Sequence, residues 1–504
     1  MMKNIFGRIL PLAFMILGEV ALYAFLFSYL TSKFVFIEVI LHIAAWIVIL
    51  NIIRISKHLS SDIKWIFLIL LFPVPGTLVY IITYSNLVIN RTFKSIIKEE
   101  EKADTYFVQD EEIVDEIVNK YPNYKSDFLF FINSGFPAYK NVGYNYYSPG
   151  EKGFKVMLEE MKKAKKYIFM EYFIIEEGEM FDAMLEILKQ KAKEGVKCRV
   201  MYDDMGSLNT LPASYAKKLE KDGIESISFN RITPILSTIM NNRDHRKLLI
   251  IDGEVGFTGG INLADEYINR KIKYGHWQDN VIRVKGPAVN SMLVTFLTNW
   301  NALRHEDDDY TVYYGKHLNV EDVDGYIIPY SETPLDFELT SQSVYMDILN
   351  RANDYVYIMT PYLIVDSEML NCLIHTAKKG VDVRIILPGI ADKIIVHMIG
   401  QSYYKQLIEA GVKIYEYTPG FVHSKIFISD DISCVVGTIN LDYRSLYLHF
   451  ENAVFLYDSS KVFDVKYDFI KTLSACKRIN SEEASFSLVK TILVGALRIF
   501  ASLM

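Results

Sequence analysis

One two-part pattern occurs twice in this chain, and the duplication restricts its fold more than any other feature. Residues 164–204 read AKKYIFMEYFIIEEGEMFDAMLEILKQKAKEGVKCRVMYDD, and residues 352–389 read ANDYVYIMTPYLIVDSEMLNCLIHTAKKGVDVRIILPG. Each copy holds a β-branched and aromatic run, an amphipathic stretch ending at Lys-x-Gly, then a second apolar run (Cys198–Tyr202; Val383–Leu387). Those patterns predict strand, helix and strand. Two β-α-β units imply an α/β fold, with a largely parallel sheet and helices on its faces, in two halves related by a pseudo-twofold axis.

A second matched pair follows the first. Residues 244–263 are DHRKLLIIDGEVGFTGGINL and residues 422–441 are VHSKIFISDDISCVVGTINL. Each is a His-x-Lys-x4-Asp followed, 14 residues after the histidine, by Gly-[Gly/Thr]-Ile-Asn-Leu. Apolar runs on either side of Asp252-Gly253 and Asp430-Asp431 predict hairpin arms, and His and Lys two apart on an extended strand share a face. Duplication alone would preserve a structural hairpin. It does not account for polar residues kept at matching places amid apolar strands, so the set reads as chemistry.

The candidate catalytic residues are His245, Lys247, Asp252, His423, Lys425 and Asp430. Paired in this way they suit displacement at a phosphodiester. One imidazole attacks phosphorus and the other moves the proton of the alcohol. Lys247 and Lys425, with Asn262 and Asn440, would bind non-bridging oxygens where charge builds. Asp279 and Glu451 open the apolar strands after each motif and are the candidates to orient the histidines. For Asp252 and Asp430, tying down a hairpin turn is the simpler reading. No metal spacing accompanies the motifs, so neither metal nor other cofactor is expected. His58, His276, His305, His317, His375, His397 and His449 read as surface or core residues, and the scattered Cys198, Cys372, Cys434 and Cys476 as reduced core thiols.

Composition then places the chain. It has 504 residues, 51% of them hydrophobic, and a mean hydropathy of +0.13. The apolar surplus lies in Ile9–Thr31, Phe34–Ile53 and Trp65–Tyr84, the third interrupted by Pro73-Val74-Pro75-Gly76. The first two are long enough for membrane spans, and the third predicts a kinked span or a re-entrant hairpin. With a hairpin, eight of the nine basic residues before position 99 share one side, with Lys33 opposite. The positive-inside rule then favours two spans, a hairpin and a cytoplasmic body in a multi-pass membrane protein. Residues 1–98 carry +6 and the rest −13. An acidic body argues against a nucleic-acid partner, whereas the basic segment suits anionic lipid. The expected divisions are a membrane segment (1–90), a linker and lead-in (91–150), two catalytic halves (151–335 and 336–480) and an amphipathic tail (481–504).

The duplicated HxKxxxxD motif with GGxN and GTxN resembles the phospholipase D superfamily. EYFII at 171–175, GGINLADEY at 259–267, TPYLI at 360–364 and GTINLDYRS at 437–445 are similar to its bacterial cardiolipin synthase branch. The tail ends Ala-Ser-Leu-Met where that branch commonly has Ser-Pro. The resemblance implies transfer of a phosphatidyl group between two phosphatidylglycerols, giving cardiolipin and glycerol, with His245 as nucleophile and His423 as acid/base. Its rivals are a phospholipase D that admits water, a nuclease, and an inactive membrane scaffold.

Overall fold

The computed structural model describes residues 35–56, 59–84, 91–140, 142–232, 238–317, 324–336 and 338–503, together with Ala21 and Phe25. Three helices come first: α1 (Val35–Ile55), α2 (Leu59–Leu71) and α3 (Pro73–Tyr84). They bury Ala45, Ile49, Ile52, Ile69 and Tyr80 against one another while Ile43, Trp46, Ile47 and Leu50 point outward. The proline pair turns the chain sharply between α2 and α3. A Cβ on Gly76 would lie 2.7 Å from the Leu68 carbonyl oxygen, although residues eight apart on a straight helix are separated by about 12 Å. Only a glycine allows that contact.

Among the described residues no helix is long and apolar enough to cross a membrane. The expected span Ile9–Thr31 falls almost wholly outside them, and Phe34–Ile53 coincides with most of α1. The third stretch is not a span: it is broken into helices of 13 and 12 residues, each about 20 Å long or less against a hydrocarbon core of roughly 30 Å. The expected linker also differs from the structure. Residues 91–133 form helices that pack on the body, with Phe93 against Phe229 and Phe450, and Phe128 against Tyr326, Phe455 and Tyr457. Its charged run misled because the same amphipathic helix buries Phe93 and Ile96 on its inner face, and Glu99 of the run itself accepts from the Tyr310 hydroxyl at 3.2 Å.

Each half is built on one sheet. The first runs 143–147, 281–285, 255–259, 247–251, 167–172, 197–203, 225–229; the second runs 326–332, 449–457, 433–437, 426–429, 355–359, 382–388, 413–417, 476–478. The β-α-β units are present, joined by α4 (Glu179–Lys193) and α5 (Ser367–Lys378). Met180, Phe181, Met184 and Leu188 form the buried stripe of α4, and Asp366 caps α5 by accepting from the Met369 N–H at 2.8 Å. Among the described residues, parallel pairing along the order given joins three neighbouring strands of each sheet (167–172, 197–203, 225–229; 355–359, 382–388, 413–417). The sheets are therefore mixed, not largely parallel, because the motif hairpins return by tight turns and must pair antiparallel.

The halves exchange edges. Arg243–Asp244 pairs with His449–Phe450, and His276–Gln278 pairs with Gly420–Val422. Within the second half, α6 (Ile394–Glu409) packs beside the tail helix α7 (Leu488–Arg498), where the Arg498 guanidinium lies 4.4 Å from the Tyr403 ring. Phe500 then meets Phe67 of α2, and Lys64 donates to Ser502 at 3.0 Å. The tail thus ties the N-terminal helices to the body.

Candidate active site

The edge exchange brings the two motifs together. The His245 N–H donates to the Phe450 carbonyl at 2.9 Å, and the His423 N–H to that of Gln278 at 2.8 Å. Each backbone is thereby held by the strand that carries the other half's carboxylate. Nδ1 of His245 lies 2.9 Å from both carboxylate oxygens of Glu451, and Nδ1 of His423 lies 2.8 Å from Asp279 Oδ2. The two orienting carboxylates expected from the sequence are here, and they are crossed. Both are fully buried, so each fixes a ring orientation and leaves Nε2 free for chemistry.

Burial dominates the electrostatics. It holds the His245 and His423 imidazoles well below their ordinary range, and the Lys247 and Lys425 ammoniums push both further down. The unprotonated ring that these surroundings favour is the form that attacks, and the carboxylate beside each ring stabilises the imidazolium when that ring carries a proton. Burial also lowers Lys247 to about 8 and Lys425 to about 7, and raises Asp279 to about 6. Lys425 Nζ stands 2.9 Å from His423 Nδ1, and Lys247 Nζ donates to the His245 carbonyl at 2.5 Å. Lys393, just before α6, adds its charge to both histidines. No motif surrounds it, so sequence reading passed it over.

The remaining expected residues divide. Asn262 is occupied within the protein, accepting from the Ile174 N–H at 3.1 Å and donating to the Tyr267 hydroxyl at 2.8 Å. Asn440 is buried with Oδ1 unpartnered. Asp252 and Asp430 do not enter the site. The Asp252 carboxylate accepts from Lys165, Lys166 and Tyr167 N–H groups at 2.7–2.8 Å, and Asp430 from those of Asn353, Asp354 and Tyr355 at 2.8–3.1 Å. Both sit at positive φ in their turns, about 20 Å of extended strand beyond the histidines. Their geometry is that of turn anchors, although they belong to the motif.

The Gly-Gly and Gly-Thr variants also have local causes. A Cβ on Gly260 would lie 1.8 Å from Asp279 Oδ1. In the second half Thr438 stands at that place, and its hydroxyl donates to Glu451 at 2.5 Å.

His449 corrects the sequence reading. It is not a bystander: its ring centre is 5.6 Å from that of His245, and it is buried. His245, His449 and Glu451 bring ligand-capable atoms within 4.8 Å of one another, a cluster invisible in the spacing because His245 comes from the other half. The two lysine charges acting on His245 oppose a dication there, so the cluster suits proton handling better than metal binding.

Comparison with known proteins agrees with this geometry. The family profile described as cardiolipin synthase, phospholipase D-like domain matches residues 157–298 and 345–473. A cardiolipin synthase of Alkalihalophilus pseudofirmus is 32% identical over 496 residues, covering 97% of this chain and 96% of the relative. Cardiolipin synthase 2 of Bacillus cereus is 33% identical, covering 85% and 83%. Among solved structures, the phosphatidylserine synthase of Haemophilus influenzae superposes with a TM-score of 0.55 at 13% identity, over 72% of this chain and 95% of the other. With the family profile matching more than half of the chain and a relative about a third identical along nearly its full length, the chain belongs to the phospholipase D-like cardiolipin synthase family.

Proposed function

We propose that the protein is a phosphatidyltransferase that converts two phosphatidylglycerols into cardiolipin and glycerol. The crossed pair of carboxylate-bound histidines in one buried site carries this reading. Nε2 of one histidine attacks phosphorus. As the N–P bond forms, the P–O bond to glycerol breaks and the other imidazole, entering as its protonated form, gives the leaving oxygen its proton. That imidazole then takes the terminal hydroxyl proton of a second phosphatidylglycerol. The new P–O bond forms, the N–P bond breaks, and both rings return to their starting states. Lys247 and Lys425 hold the non-bridging oxygens through both steps.

The test is the product profile of purified protein in phosphatidylglycerol vesicles. Cardiolipin and glycerol should appear in equal amounts; phosphatidic acid as sole product would establish the phospholipase D reading instead. A pH profile adds a second check. With Lys425 at about 7 and Lys247 at about 8, both ammoniums are lost as pH rises, so kcat/KM should fall across pH 7–8. In Lys425→Arg the guanidinium stays charged, and the residual activity should hold to higher pH.

The lipid substrates account for the apolar architecture. The reading includes membrane attachment through the N-terminal apolar stretches, the α2–α3 hairpin as a re-entrant element and a cytoplasmic body. Eight basic residues on one side and the close packing at Gly76 support it. The tail lies in the interface: Leu488, Val489, Ile492 and Leu493 of α7 are each more than half exposed, with Lys490 and Arg498 on the same helix. Replacing Val489 and Ile492 by Glu should lower cardiolipin formation in vesicles about tenfold. Turnover of a short-chain substrate in free solution should change less than twofold, and equal losses on both would refute interfacial docking.

A further inference from the structure

Joining two phosphatidylglycerols sets a requirement that the motif residues do not meet. The acceptor lipid brings a phosphodiester of its own, and in cardiolipin the two phosphorus atoms are linked by a single glycerol, about 7 Å apart when extended. A second anion must therefore be held just outside the reacting one. Lys247 and Lys425 serve the reacting phosphoryl group, and the carboxylates Asp279, Glu451 and Asp442, which all act on Lys425, would repel a further negative charge. Other cations of the region are occupied. Arg243 donates to the Met240 and Asn230 carbonyls at 2.7 Å, Arg246 Nη1 lies 3.8 Å from Glu171 Oε1, and Arg444 is balanced by Asp442.

Lys393 differs from these. It is exposed, yet its charge reaches both histidines, which places it at the rim of the site. Its ammonium lies 5.5 Å from the centre of the Tyr362 ring, and among the described residues no carboxylate pairs with it. Asp392, its neighbour in sequence, instead accepts from the Tyr362 hydroxyl at 2.5 Å. A row of rings leads inward from there: Tyr362 is 6.4 Å from Phe421, and Phe421 is 6.0 Å from His423. The surroundings suit a lipid rather than a soluble anion. Ile394 and Ile395 follow Lys393 and stand exposed, and Leu363, Val396 and Phe421 line a cleft with Tyr362. The same helix α6 packs on α7, whose exposed apolar face is the one read above as lying in the interface.

We propose that the Lys393 ammonium binds the phosphodiester of the acceptor phosphatidylglycerol, and so selects a charged lipid alcohol over an uncharged one. This inference rests on the transferase reading above. It sets the acceptor on the His423 side, where the resemblance places the acid/base. There the terminal hydroxyl of the acceptor gives its proton to the imidazole as its oxygen bonds to phosphorus and the N–P bond breaks. Lys393 makes and breaks no covalent bond. It holds the acceptor's own phosphate by charge-assisted hydrogen bonds while the glycerol spans the gap to the reacting centre.

The experiment uses the full chain in vesicles that contain phosphatidylglycerol and 1-monoacylglycerol, an uncharged lipid that presents the same diol without the phosphate. Both acceptors compete for one phosphatidyl-enzyme, so a loss of folding, docking or donor reactivity lowers both products and cancels in their ratio. In Lys393→Gln the ratio of cardiolipin to phosphatidyl-monoacylglycerol should fall at least about tenfold, the scale of a lost hydrogen bond to a charged group. Lys393→Arg, which keeps the charge, should restore most of it. A ratio within twofold of the parent in Lys393→Gln would overturn the proposal. Loss of both products in that variant would also overturn it, because the charge would then serve the reacting phosphoryl group. Phosphatidic acid as sole product of the unaltered protein would instead refute the transferase reading itself.

Discussion

Alanine at either His245 or His423 should reduce cardiolipin formation by at least about 10³-fold, with the protein still folded. The two losses should be similar in size and should not multiply in the double variant. Each histidine serves both half-reactions, so removing one leaves the other without a partner. Each side chain also reaches the site from a backbone held by strand pairing, through the His245 N–H to Phe450 and the His423 N–H to Gln278. Alanine keeps those bonds, so the sheet should survive. The readouts are initial rates in phosphatidylglycerol vesicles and the circular dichroism melt. A variant within tenfold of the parent would remove that histidine from the mechanism.

Glu451→Gln should cost about 10²–10⁴ in kcat, a loss comparable to that of neutralising the orienting acid of a hydrolase triad. The amide preserves shape but removes the charge that both His245 and Thr438 bind. It also presents an N–H where the imidazole needs an acceptor, which favours the wrong tautomer. Because Glu451 lies in the second half and His245 in the first, the geometry makes a specific claim about which histidine suffers. With Glu451→Gln the perturbed ring should be His245, seen as a shift of its imidazole resonances while those of His423 stay put. Asp279→Asn should do the converse. A shift of His423 in the Glu451 variant would contradict the crossed arrangement.

Much of this site was legible in the sequence because strand chemistry is local. The motif histidines, their lysines, and Asp279 and Glu451 all lie on or beside short apolar strands whose period and neighbours can be read directly. What sequence could not supply was the exchange of edges. Nothing in DHRK or in LHFEN says that Arg243–Asp244 will pair with His449–Phe450, and without that pairing His449 looks like an idle residue. The mixed sheets were misjudged for a related reason. The β-α-β units give parallel order, but the hairpins enter the same sheets antiparallel through turns that Asp252 and Asp430 anchor. The charged run after residue 98 resembled a linker because period alone does not reveal whether an amphipathic helix will find a surface, and here Phe93 found Phe229 and Phe450.

The exchanged edges also bear on how such a molecule arose. Neither half holds a complete reaction centre, since each histidine leans on a carboxylate from the other. A symmetric pair of separate, identical chains would meet that need, but any substitution in such a pair appears at both flanks together. Covalent fusion of two copies lifts this constraint. Within one chain, one half can keep Gly260 and Trp277 while the other takes Thr438 and His449, so the two flanks of a single site are free to differ.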